Sequence, residues 1–189
     1  MEVPLRLSHL PAACALLLAI TVPAAAQTST PVEPGVWSVT PFLSLTFGGD
    51  GDSTSLGLGG AAGYDFTDRL GVEAEVAYVF DLAGDTDAAD WSLLSGGANV
   101  LYHFPLANGM FPYATAGVGF ARSSLTIELQ DSAALEDDST EIGFNFGGGL
   151  KAPLTDTLSA RGDIRYFQYN DAAPSGFRIY GGLTWKLRR

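Results

Sequence analysis

The sequence predicts an all-β chain: an eight-stranded antiparallel, up-and-down transmembrane β-barrel. Three observations predict it. Eight segments of alternating polarity follow one another with no helical pattern between them. One row of each segment is free of charge while the other carries charges and glycines, and the links between segments alternate between short turns and longer polar stretches.

Residues 1–26 read as an export signal that is removed. Arg6 precedes an apolar run from about residue 12 to 22, and Ala24, Ala25 and Ala26 stand just before Gln27, the small residues a signal peptidase site needs. The run falls short of the ~20 apolar residues of a membrane helix. Cys14 precedes most of the run, so a lipid anchor on it is not expected. Removal of the leader leaves a chain without cysteine, which excludes disulfide and thiol chemistry. Residues 27–34, "QTSTPVEP", form a short tether, and 35–189 the barrel domain.

The strands are expected at 36–47, 56–66, 70–80, 92–104, 111–122, 141–152, 158–168 and 177–187. Strand side chains alternate between two faces, so each strand carries two rows. In the first, Trp37, Val39, Pro41, Leu43, Leu45 and Phe47 make an apolar row; in the third, Val72, Ala74, Val76, Tyr78 and Phe80 do the same. The remaining strands repeat the pattern, ending with Phe177, Ile179, Gly181, Leu183, Trp185 and Leu187 in the eighth, and none of these rows contains a charge.

The opposite rows hold Asp65, Glu73, Glu75, Glu141 and Asp163 against Lys151, Arg161, Arg165, Arg178 and Lys186, together with Asn99, His103, Asn145 and many glycines. Glycine on a water-facing strand costs backbone entropy and returns no packing. Inside a narrow barrel the same glycines make room for long charged side chains. The charged rows therefore face the lumen and the apolar rows face lipid.

The links follow the same logic. Those after the second, fourth and sixth strands are the short "TDR", "PLANG" and "PLTDT"; the others, such as "DLAGDTDAADW" and "SSLTIELQDSAALEDDST", are mostly longer and polar. Such sorting gives a membrane barrel with short turns and both termini on the periplasmic side. Aromatic residues mark the two interfaces: Trp37, Tyr64, Phe66, Tyr102, Phe104 and Trp185 near the turn end, and Tyr78, Phe80, Phe144, Tyr166 and Phe177 near the loop end.

The candidate site is a lumen charge network. Glu73 and Glu75 on the third strand are expected to meet Arg161 and Arg165 on the seventh, with Asp163 between the arginines and Lys151 on the neighbouring row. Unpaired charges away from water are expensive, so equal numbers of acids and bases imply mutual pairing and a structural plug.

The net charge is −11, and Asp50, Asp52, Asp81, Asp85, Asp87, Asp90, Glu128, Asp131, Glu136, Asp137, Asp138 and Asp171, all assigned to loops, account for it. That rim is expected to attract divalent cations weakly. "DTDAAD" lacks the glycine and glutamate of a calcium loop, so no specific metal site is expected. Nucleic acid is excluded as a partner by the lack of clustered Lys and Arg. "GLGGAAG" and "GGGLK" precede no helix and are not nucleotide loops.

The phrases "TPFLSLTFG", "YDFTDRLGVEAEVAY", "PYATAGVGFAR" and "IRYFQY" resemble the OmpA/OmpX-type outer-membrane barrel family of Gram-negative bacteria, over roughly residues 35–187. The resemblance implies an eight-stranded porin-like barrel in the outer membrane, inserted by the outer-membrane assembly machinery. Its surroundings would be outer-membrane lipid and lipopolysaccharide. Some eight-stranded barrels modify lipid A with a histidine, a serine and an acid near the outer leaflet. His103 sits instead at the turn end beside Phe104 and Pro105, with no serine adjacent, so neither catalysis nor a cofactor is expected. The alternatives are a lipid A deacylase-like enzyme and a lipocalin-like ligand-binding barrel with the apolar rows inside.

Overall fold

The computed structural model describes residues 32–48, 54–81, 89–104, 106, 109–127, 135–170 and 175–187. The eight strands are β1 Val36–Gly48, β2 Thr54–Asp65, β3 Leu70–Asp81, β4 Ala89–His103, β5 Phe111–Ile127, β6 Leu135–Pro153, β7 Leu158–Tyr169 and β8 Gly176–Leu187. Each pairs antiparallel with its neighbours in sequence, and β1 pairs with β8 to close the barrel. Closure removes the exposed sheet edges over the length at which all eight strands are present.

Side-chain alternation separates two environments. Outward positions are apolar and exposed, among them Leu43, Leu58, Val76, Val100, Val118, Ile142, Ile164 and Ile179. Inward positions are buried and largely polar: Thr40, Ser44, Glu73, Ser95, Asn99, His103, Thr115, Asn145, Arg161, Asp163, Arg165, Arg178 and Thr184. A water-soluble barrel has the reverse arrangement.

Two turns use one device. In 66–70 the Thr67 hydroxyl accepts from the Arg69 and Leu70 amides at 3.1 and 2.8 Å, and the Phe66 amide donates to the Leu70 carbonyl. In 154–158 Thr155 does the same for the Thr157 and Leu158 amides at 3.3 and 3.0 Å. A threonine hydroxyl thus replaces a backbone acceptor at the tip of each turn. The barrel entrance is fixed at Gly35, whose φ of 81° suits glycine and whose amide donates to the Asp65 carbonyl. Val32, ahead of β1, is buried, and Glu33 approaches the Lys186 ammonium at 3.4 Å.

Three expected boundaries are corrected. β4 begins at Ala89, β5 continues to Ile127 and β6 begins at Leu135, so much of the expected loop "SSLTIELQDSAALEDDST" is strand, paired out to Ile127↔Leu135. Asp90, Glu136, Asp137 and Asp138 therefore lie on strands, not loops. The reason is that backbone pairing does not require an apolar row, so a polar hairpin continues as strand where the sequence shows no alternation. Asp81 ends β3. Asp50, Asp52, Asp85, Asp87, Glu128, Asp131 and Asp171 lie outside the described residues.

Candidate functional site: the charged lumen

Glu73 and Glu75 stand two residues apart on β3, as do Arg161, Asp163 and Arg165 on β7, and this spacing points all five side chains into the barrel. The guanidinium of Arg161 forks onto the Glu73 carboxylate, with Nη1 on Oε2 and Nη2 on Oε1 at 3.0 Å. Its Nε and Nη2 also donate to Asp163 Oδ2 at 3.1 and 2.9 Å. Arg165 reaches Glu75 Oε2 at 2.8 Å, Glu73 Oε1 at 3.1 Å and Asp163 Oδ2 at 3.3 Å. Bidentate and shared contacts of this kind let arginine satisfy several carboxylates in one fixed plane.

Two tyrosines complete the cluster. Tyr113 on β5 donates its hydroxyl to Asp163 Oδ2 and accepts from Arg161 Nε at 2.8 Å. Tyr180 on β8 donates to Glu75 Oε1 at 3.5 Å. Both rings also lie near guanidinium groups, Tyr113 at 5.1 Å from Arg161 and Tyr180 at 4.8 Å from Arg165. Glycines give the space: a Cβ on Gly149 would lie 2.5 Å from the Tyr113 hydroxyl and 2.4 Å from Asp163 Cβ, and one on Gly147 would meet Arg165 Cα at 2.7 Å.

Lys151 does not join the ion pairs. Its Nζ lies 3.3 Å from His103 Nε2 and 5.6 Å from the Tyr113 ring centre, on the turn side of the cluster. Arg178 lies towards the loop side, over the Phe167 ring at 4.5 Å, donating to Thr46 Oγ1 at 3.2 Å and Ser95 Oγ at 3.1 Å. The cavities left are small. One, bounded by Thr40, Glu73, Glu75, Arg161, Asp163 and Tyr180, and another, bounded by Glu75, Ser95, Asn145, Phe167 and Tyr169, each measure about 10 Å³, the space of one water at most.

The outward aromatic residues fall into two groups. Trp37, Tyr64 and Phe66 form a run of ring contacts at 5.0 Å each, and Tyr102 and Phe104 another at 5.0 Å. At the loop end Tyr78 meets Phe80 at 6.3 Å and Tyr166 meets Phe177 at 5.1 Å. Phe144 and Trp185 are exposed on the same outer surface. Sequence reasoning left out Tyr113, Tyr180, Phe42, Phe167 and Tyr169, all buried inside. Their positions on the charged rows were the available signal.

Among the described residues there is no group of His, Asp and Glu arranged to hold a metal. His103 is fully buried and its ring neighbours Lys151 and Tyr113.

Comparison with known proteins agrees with this geometry. The 25 kDa outer-membrane immunogenic protein of Brucella ovis is 28% identical over 148 residues, covering 77% of this chain and 63% of that protein. The Brucella abortus protein of the same name is equally similar, with 59% of its length covered, so the chain spans about three fifths of these relatives. Among solved structures, Neisserial surface protein A superposes with a TM-score of 0.60 at 20% identity, over 80% of this chain and 96% of that one. The N-terminal barrel of Pseudomonas aeruginosa OprF gives 0.54 at 21%, over 82% and 98%. Ail of Yersinia pestis, solved with the heparin analogue sucrose octasulfate, gives 0.59 at 15%, over 82% and 100%. The matching family model is the outer membrane protein beta-barrel domain, and since it spans residues 12–186, nearly the whole chain, this protein is a member of that family and resides in the outer membrane.

Proposed function

We propose that this barrel is a non-enzymatic scaffold whose plugged interior fixes a rigid cylinder and whose loop rim carries its interactions at the cell surface. The supporting observation is the network crossing the lumen between β3 and β7, in which Arg161 and Arg165 together contact Glu73, Glu75 and Asp163. A lumen filled in this way leaves no continuous water path for solutes.

In this reading residues 1–26 direct export and are removed, both ends of the mature chain lie in the periplasm, and the aromatic girdles seat the barrel among outer-membrane lipid and lipopolysaccharide. The acidic rim holds divalent cations weakly, and its sign disfavours polysulfated ligands of the kind seen with Ail. The test is paired: planar-bilayer recording of purified protein, and labelling of intact cells through a cysteine placed on the loop rim at Thr140. A closed bilayer with labelled cells is the expected result. Steady conductance overturns the plug, and absent labelling overturns the orientation.

A further inference from the structure

The outer surface of the barrel is not evenly filled. Val39, Pro41, Gly60, Ala62, Ala74 and Val76, on β1 to β3, border an open groove of about 520 Å³. A Cβ added at Gly60 would have one backbone oxygen at 4.0 Å and nothing nearer, so the groove floor is empty. Thr40 and Glu75 also border it, but their side chains turn inward, to Thr184 and Arg165. The outward row of β1 runs Trp37, Val39, Pro41, Leu43, Leu45, Phe47, so the groove takes its second and third positions and lies in the turn-side half. The rim below is polar. Trp37 and Tyr64, paired across β1 and β2, meet at 5.0 Å next to Val39 and Ala62, and carry an N–H and an O–H suited to headgroup depth. At the β2–β3 turn the Arg69 guanidinium reaches the Tyr102 hydroxyl on the outer face of β4. Asp68 lies 3.9 Å from Arg69 Nε, an exposed contact that contributes little.

We propose that the outer face of β1 to β3 is a binding site for one phospholipid of the turn-side leaflet, with an acyl chain in the groove and the phosphate on Arg69. Apolar surface in a bilayer already meets lipid, so association there rests on close packing and polar contacts instead of the hydrophobic effect. A chain seated in a groove gains contacts from its walls as well as its floor, whereas a chain on a convex wall is touched on one side. Guanidinium takes phosphate oxygens two at a time, which supplies the polar contact. The spacing fits: Ala74 stands four residues from Leu70, beside Arg69, about 13 Å along the strand and within the ~15 Å that one leaflet's chains span. A two-fold contact with a second copy of this chain would set groove against groove and enclose a void, so a lipid is the favoured occupant. The inference rests on the surface-scaffold reading only for which leaflet supplies the lipid.

The test titrates the full barrel in dodecyl maltoside micelles and counts bound lipid by native mass spectrometry. Three probes are compared: dioleoylphosphatidylglycerol, dioleoylglycerol, which lacks the phosphate, and dihexanoylphosphatidylglycerol, which lacks the long chains. One dioleoylphosphatidylglycerol should be retained per barrel, at least about tenfold more tightly than either of the others. The double variant Ala62→Leu, Ala74→Leu, which fills the groove, should lose that margin. Arg69→Gln should bring the phospholipid down to the level of dioleoylglycerol, and Ala116→Leu, outward on β5, should change nothing. The gel shift between folded and heated forms first shows that each variant is folded. Equal retention of the three probes, or an equal loss in Ala116→Leu, would reduce the effect to general lipid contact and overturn the site. Retention unchanged by filling the groove would overturn the acyl-chain seat, and retention unchanged by Arg69→Gln the phosphate contact. Loss of bound lipid to concentration-dependent dimers would overturn the lipid as occupant. The cell-labelling experiment fails separately: an unlabelled Thr140→Cys chain that still retains the phospholipid refutes the surface display and leaves the site standing.

Discussion

The lumen between β3 and β7 and the projecting ends of β5 and β6 treat charge in opposite ways. Inside, Glu73, Glu75 and Asp163 are each in contact with Arg161 or Arg165, and these side chains are buried. On the projection, Glu136, Asp137 and Asp138 follow one another with no base from 123 to 140. The difference is water. A buried charge costs several kcal/mol unless a partner replaces its hydration, whereas the high dielectric constant of water leaves charges a few ångströms apart on a wet surface interacting by only about 1 kcal/mol. The interior can therefore be read as pairs, and the projection only as a field.

The contrast breaks most visibly at Arg161. Arg161→Ala leaves Glu73 and Asp163 with fewer partners and is expected to destabilise the folded barrel by about 3–5 kcal/mol. Urea unfolding in lipid vesicles, followed by the gel shift between folded and heated forms, measures it. The double variant Arg161→Gln, Glu73→Gln should lose less than the sum of its single changes, because each single change strands a buried charge that the double change removes. Additive losses would show that the contact is not an energetic unit.

The lipid face gives the next effect. Val76, midway along β3, is 52% exposed on the outer surface. Val76→Arg should cost about 2–4 kcal/mol if this position meets the bilayer interior, while Val76→Leu should be nearly neutral. The same vesicle assay decides it, and a neutral arginine would put the position outside the hydrocarbon.

Gly149 sharpens the comparison from within. A methyl group there would press on Asp163 Cβ, the Tyr113 hydroxyl and the Gly162 carbonyl at 2.4–2.6 Å. Gly149→Ala is expected to cost about 1–3 kcal/mol by overpacking. Gly181, with nothing within 4 Å of a Cβ, is the control, and Gly181→Ala should be tolerated.

These residues also show how far the sequence could be read. The outward rows were legible because lipid demands an uncharged face at every second position, as in Val72 to Phe80. The pairing of Glu73 with Arg161 was an inference from charge balance, and its distances were not legible. Tyr113 was not foreseen as a partner of Asp163, because an aromatic residue on a lumen row looks the same in sequence whether its hydroxyl is bonded or its ring only fills space. The extension of β5 and β6 was missed because a polar run such as "LEDDST" has no polarity period and reads as loop, although its backbone pairs as strand. Lys151 illustrates the remaining limit, since sharing a face with the arginines did not fix its height along the barrel, where it meets His103.

The smallest expected effect lies on the projection. The combined Glu136→Gln, Asp137→Asn, Asp138→Asn variant should change unfolding free energy by less than about 0.5 kcal/mol, the usual range for charge changes away from buried pairs. A small gain is the expected sign, since neighbouring like charges on one strand repel. That gain should shrink with added salt, as the Debye length falls from about 10 Å at 0.1 M to about 3 Å at 1 M. A loss of several kcal/mol, insensitive to salt, would mean that the projection holds buried pairs like those between β3 and β7, and the division between a compensated interior and a one-signed rim would fail.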